Sequence, residues 1–181
     1  EHLCVTLKDN NSALKLELHY YIYEDCDVIT RSAKLINDGE NAVQIRRLMS
    51  CQVDFPTSDH VFTSFHGAWA REMRRWDVPV AAGKYVNASY TGTSSSRANP
   101  FVMLSGRETT EDTGDCYGFN LVYSGNHYEA VEVNSYGKTR FVSGINPQNF
   151  CWQLPAGESF EAPEAVMAYS RAGYNGMSQC M

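Results

Sequence analysis

The chain has no Cys-x-x-Cys pair, no Gly-x-Ser-x-Gly elbow and no amphipathic helix of useful length. It also has no apolar run approaching the roughly 18 residues that a membrane-spanning helix requires. These gaps exclude a zinc ribbon, an α/β-hydrolase nucleophile, a helical bundle and a helical membrane protein. Basic charge is in short supply too: 15 Lys and Arg stand against 21 Asp and Glu, a net charge of −6. That balance argues against nucleic acid or an acidic membrane as partner. Residue 1 is Glu rather than Met, and nothing near it has the charged and apolar regions of a leader.

What is present is a folded composition, 43% hydrophobic and 12% aromatic over 181 residues, sufficient for a substantial core. The six cysteines, at 4, 26, 51, 116, 151 and 180, are never closer than 22 residues, and several fall inside strand-like runs as small hydrophobes do. An even count is compatible with three disulfides, but free thiols in a reducing, cytoplasmic setting are expected. Two Asn-x-Ser triplets, at Asn10 and Asn87, point weakly toward secretion.

Period-two alternation dominates, the mark of half-buried strands. In Leu14 to Tyr23 the set Leu14, Leu16, Leu18, Tyr20 and Ile22 opposes Lys15, Glu17 and His19, and Leu3 to Leu7 precedes it across a polar turn, giving a hairpin. Val28 to Ile36 and Val43 to Phe55 follow, the latter with Arg47 interrupting its apolar face and Pro56 ending it. Further strands are expected at Val61 to Phe65, Ala68 to Trp76, Lys84 to Thr91, Phe101 to Leu104, Tyr117 to Tyr123 and Glu129 to Val133. Thr139 to Val142, Cys151 to Leu154 and Ala165 to Tyr169 complete the set. Short strands separated by Gly, Pro and Asn turns imply an all-β, mostly antiparallel sandwich in a single domain, 1–181. At the C-terminal end Asn175 and Ser178 offer helix N-caps with almost no chain after them, so both termini read as cuts within something larger.

Candidate chemistry is sparse. The acids Glu24, Asp25, Asp27 and Glu108, Glu111, Asp112, Asp115 fall in turns, where carboxylates are solvated or cap backbone N–H groups. Asp59, His60 and His66, with His2, His19 and His127 scattered, match no metal-ligand spacing; no metal and no cofactor is expected. Ser124 serves a turn. The strongest candidate is Phe65 to Trp76, where strand geometry would set Trp69, Arg71, Met73 and Arg75 on one face. An indole stacks on the apolar side of a sugar and a guanidinium donates a rigid fork, but spacing alone favours the plainer reading, Trp69 and Trp76 as core or interface aromatics with arginines stacked on them.

Several strings resemble the N-terminal domain of the family 36 glycoside hydrolases, the α-galactosidases. They include Asp27-Val28-Ile29-Thr30-Arg31-Ser32, Gly67-Ala68-Trp69-Ala70-Arg71-Glu72, Asn99-Pro100-Phe101 and Leu121-Val122-Tyr123-Ser124-Gly125-Asn126. Gly144-Ile145-Asn146-Pro147, Pro163-Glu164-Ala165-Val166 and Gly176-Met177-Ser178 extend the likeness along the chain. One loop departs, having Ser96 and Ala98 where relatives carry histidines. The resemblance implies a galactose-mutarotase-like β-supersandwich that packs on a (β/α)8 barrel cleaving terminal α-galactosides of the raffinose and melibiose type with retention. The family's Lys-Trp-Asp nucleophile motif does not occur here, nor does its acid/base segment, so no catalytic residue is expected. It implies a fragment truncated at its N-terminal side and ending at the linker to the absent barrel, with Trp69 as a sugar-facing residue; Arg71 is a second substrate-binding candidate that the resemblance does not itself supply. Its partners would be that barrel, galactosides and further copies in a homo-oligomer. A freestanding carbohydrate-binding module is the alternative, and a purely structural assembly domain a third.

Overall fold

A computed structural model describes residues 1–181. Alternation drives the architecture: fifteen strands, every named pair antiparallel, form one nine-stranded, one four-stranded and one two-stranded sheet. The large sheet begins with the hairpin β1 (His2–Lys8) and β2 (Leu14–Tyr23) and then β3 (Val28–Asn37). Here Leu16 and Leu18 lie opposite Leu7 and Val5 on one side and Leu35 and Ala33 on the other, an unbroken apolar face. β4 (Val43–Ile45) leaves to pair with β13 (Trp152–Leu154), and β5 (Met49–Phe55) enters the four-stranded sheet. The expected single strand from Val43 to Phe55 is thus two, broken at residues 46–48 around the charged Arg47.

β6 (His60–His66), β7 (Arg74–Pro79), β9 (Phe101–Gly106), β10 (Cys116–Val122) and β15 (Glu164–Ser170) complete the large sheet in the order β1-β2-β3-β15-β10-β9-β6-β7, with β14 (Ser159–Glu161) on β3. The small sheet runs β5-β12-β11-β8, using β8 (Gly83–Ala88), β11 (His127–Val133) and β12 (Thr139–Ile145). Inward residues of both sheets make the main core: Phe62, Val102, Leu104, Phe119 and Leu121 meet Val131, Val133 and Phe141, with the Phe119 and Phe141 rings stacked at 4.0 Å.

The outer face of the large sheet has a second cluster, Val28, Met103, Cys116, Ala168 and Met177. Met177 comes from α1 (Gly173–Cys180), a helix where sequence reading leaves no room for one. Asn175 and Ser178 lie within it rather than capping it. Its support is tertiary: Tyr174 and Asn175 N–H groups donate to Thr110 and Glu111 carbonyls at 3.1 and 2.8 Å, and Met177 is 1% exposed. Gly118 makes this possible, because a Cβ there would stand 2.4 Å from the Met177 sulfur. No helix is long and apolar enough to cross a membrane.

Candidate functional site

Two strands bracket the loop that carries the sequence's best candidates. β6 ends at His66 and β7 starts at Arg74, so the expected strand Ala68 to Trp76 is corrected to a loop, 67–73, followed by β7. The cause is local. Ala70 and Met73 adopt left-handed φ values of 57° and 56°, and Arg71 N–H donates to Ala68 C=O at 2.8 Å, closing a tight turn. Gly67 lets the turn close, because a Cβ there would approach the Arg71 carbonyl oxygen to 2.4 Å. The Glu72 carboxylate accepts from the Ala70 N–H at 2.7 Å. Trp69, Arg71, Met73 and Arg75 therefore do not share a strand face.

At the apex Trp69 is 92% exposed, and Arg71 beside it is exposed as well. That removes the core reading for Trp69, since a core indole would lose most of its surface. Neither residue lines any of the five principal grooves of the chain. The loop is braced at its base. The His66 ring lies 2.8 Å from the Ser64 hydroxyl and 3.1 Å from the Arg97 carbonyl, Asn99 N–H donates to the Phe65 carbonyl at 3.0 Å, and the Asn99 amide meets the Met73 sulfur at 3.2 Å. Arg75 turns away, pairing with Asp77 at 2.9 Å and lying 4.0 Å over the Tyr174 ring.

The acid clusters serve local structure. Asp112 accepts from the Asn175 amide at 2.9 Å and Asp115 from the Tyr169 hydroxyl at 2.6 Å, while Glu24 and Asp25 form an exposed 3-10 turn. No group of three or more His, Cys, Asp or Glu side chains is arranged to hold a metal ion. Asn87, in the second Asn-x-Ser triplet, is 1% exposed, with its amide donating to Asn99 C=O and to Glu129. A glycan has no room there in the folded chain.

Sequence reasoning passed over one cluster. His127 and Glu129 are both fully buried, the ring Nδ1 2.7 Å from Glu129 Oε2 and Nε2 2.8 Å from the Ala98 carbonyl. Burial opposes charge on His127, but its bonds to Glu129 outweigh that and raise its pKa; burial likewise raises the Glu129 carboxyl. The available signal was in β11 itself, where alternation sets His127 and Glu129 on the same face as Val131 and Val133.

The family model described as the glycosyl hydrolase family 36 N-terminal domain matches residues 1–155. The chain is 44% identical over 179 residues to alpha-galactosidase AgaA of Geobacillus stearothermophilus, covering 99% of this chain and 25% of that protein. A crystal structure of that GH36 alpha-galactosidase with stachyose superposes with a TM-score of 0.97 at 42% identity, over 99% of this chain and 25% of the other. A galactose mutarotase related enzyme from Lactobacillus acidophilus shares the fold alone, with a TM-score of 0.55 at 11% identity over 96% of this chain and 69% of that one. The chain thus spans about a quarter of the length of the curated relatives it matches.

Proposed function

The chain belongs to the glycosyl hydrolase family 36 N-terminal domains, and from that premise we propose that it is the non-catalytic β-sandwich of an enzyme hydrolysing terminal α-galactosides. In this reading it packs on a catalytic barrel, contributes Trp69 to the galactose pocket and supports a homo-oligomer. The carrying observation is Trp69 itself, a large apolar side chain held 92% exposed at the tip of a loop braced on both sides. A folded chain gains nothing from exposing an indole, whereas a pocket completed by another domain gains a stacking wall. Arg71, on the same loop, is a donor for hydroxyls at the rim. The six unpaired cysteines support a reducing, cytoplasmic setting. Asp112 and Asp115 are engaged by Asn175 and Tyr169, and the isolated chain should not turn over an aryl α-galactoside.

The test is Trp69→Ala in the barrel-containing protein. Turnover of an α-galactoside should fall with the unfolding midpoint nearly unchanged, because the side chain loses little contact within this chain. Intact kinetics would overturn the reading. The alternative, a freestanding carbohydrate-binding module, is distinguished by titrating the isolated chain with galactose. Saturable Trp fluorescence change that Trp69→Ala abolishes would favour it.

A further inference from the structure

The buried His127 ring touches two acceptors. The Ala98 carbonyl oxygen can only accept, so Nε2 carries a proton. Glu129 Oε2 accepts from the Asn87 amide at 3.0 Å and lies 2.7 Å from Nδ1, so one proton bridges the ring and the carboxyl. The geometry therefore describes a proton-bridged His127–Glu129 pair, both members fully enclosed. The amide of Asn87 reaches on to the Asn99 carbonyl at 2.7 Å. Two successive carbonyls, Ala98 and Asn99, are thus gripped from below by the small sheet.

Asn99 also grips upward. Asn99 bonds the Phe65 carbonyl through its N–H and the Met73 sulfur through its amide, while its Oδ1 accepts from Phe101 N–H at 3.0 Å and stiffens the turn. Phe65 lies at the end of β6 and Met73 is the last residue of the Trp69 loop, so Asn99 ties the loop's two ends to one point. We infer that His127, Glu129 and Asn87 are positioning residues, a buried hydrogen-bonded clamp that fixes the Trp69 loop through Ala98 and Asn99. An ion pair in a core adds little stability over well-packed apolar side chains of the same volume. What it adds here is direction, since each bond points at a specific carbonyl of one loop. The consequence for sugar contact rests on the reading of Trp69 above.

The test is amide hydrogen exchange of residues 67–73 in the isolated chain, comparing wild type with His127→Phe, Asn99→Ala and the double variant. His127→Phe keeps the ring volume and removes both bonds. Asn99→Ala leaves the buried trio intact and cuts the tie to Met73, which keeps the test decisive even where His127→Phe does not fold. Each substitution should speed exchange across the loop about tenfold, with β10 and β12 amides unchanged, and the double should exceed neither single. Loop exchange unaltered by Asn99→Ala, or effects that add in the double, would overturn the clamp. In the barrel-containing enzyme Asn99→Ala should raise KM for an α-galactoside more than it lowers kcat. A loosened loop with KM unchanged supports the clamp and overturns the sugar reading instead.

Discussion

Glu129→Leu removes the partner of His127, which is itself fully buried, and the cost can be set against a second variant that removes both members of the pair. Breaking one side of a buried pair costs about 3–5 kcal/mol, because the remaining charge must stay uncompensated or shed its proton. At about 2–4 °C per kcal/mol for a chain of this size, the midpoint should drop roughly 6–20 °C. In His127→Phe/Glu129→Leu neither member of the pair remains and the volumes are nearly kept. The Ala98 carbonyl then loses its donor, a penalty of about 1–3 kcal/mol for a buried acceptor. The Asn87 amide retains the Asn99 carbonyl and is only partly affected. The double variant should therefore be more stable than Glu129→Leu alone. Urea unfolding at neutral pH, with m-values checked for equality, measures all of this directly. A double variant as unstable as the two singles combined would refute the reasoning, since independent losses add and a compensated pair does not.

How far the sequence carries this structure depends on what each residue had to know. β2 was legible to the residue, Leu14–Tyr23, because alternation is a property of the strand alone. The Trp69 loop was not. Its turn depends on left-handed Ala70 and Met73, residue types that give no such signal, and on the space that Gly67 leaves for the Arg71 carbonyl. α1 was hidden for a related reason, since its first-turn N–H groups are satisfied by carbonyls some sixty positions earlier in the chain. β14 is three residues long and exists only by pairing with β3. Trp69 could be picked out as a candidate from its motif, whereas its exposure, which separates a binding aromatic from a core one, is decided by that same turn. The buried pair was readable in part: alternation in β11 sets His127 and Glu129 inward, but their targets lie across 29 positions on a loop with no periodicity.

Three further outcomes follow from residues already placed. His127 has a raised pKa, so the native state holds its proton more tightly than the unfolded chain, where it titrates near 6.5. The His127 contribution is complete below that value and is lost as pH rises through the raised one, and Glu129, pushed up to about 7, adds a loss that begins above about pH 4.5. Wild-type midpoints should therefore fall above about pH 4.5 more steeply than those of His127→Phe/Glu129→Leu; parallel profiles would contradict this. A thiol reagent should find six reactive cysteines in unreduced, denatured protein, and in native protein Cys4, Cys26 and Cys151 should react promptly. Cys51 and Cys116, which burial pushes up to about 11, should react only on unfolding; a denatured count below six would instead mean disulfides. The last outcome concerns β1, which ends the large sheet with one side unpaired while Leu3, Val5 and Leu7 stand 57, 37 and 50% exposed. These residues face the same way as Leu16 and Leu18, so edge and apolar face form one continuous surface. Such a surface recruits a partner, and the isolated chain offers a second copy of itself. Sedimentation over a concentration series should show a reversible dimer that Val5→Lys disrupts, because a charge on that face opposes both burial and edge pairing. A wild-type species that stays monomeric at high concentration and binds little hydrophobic dye would show that the exposed face does not associate.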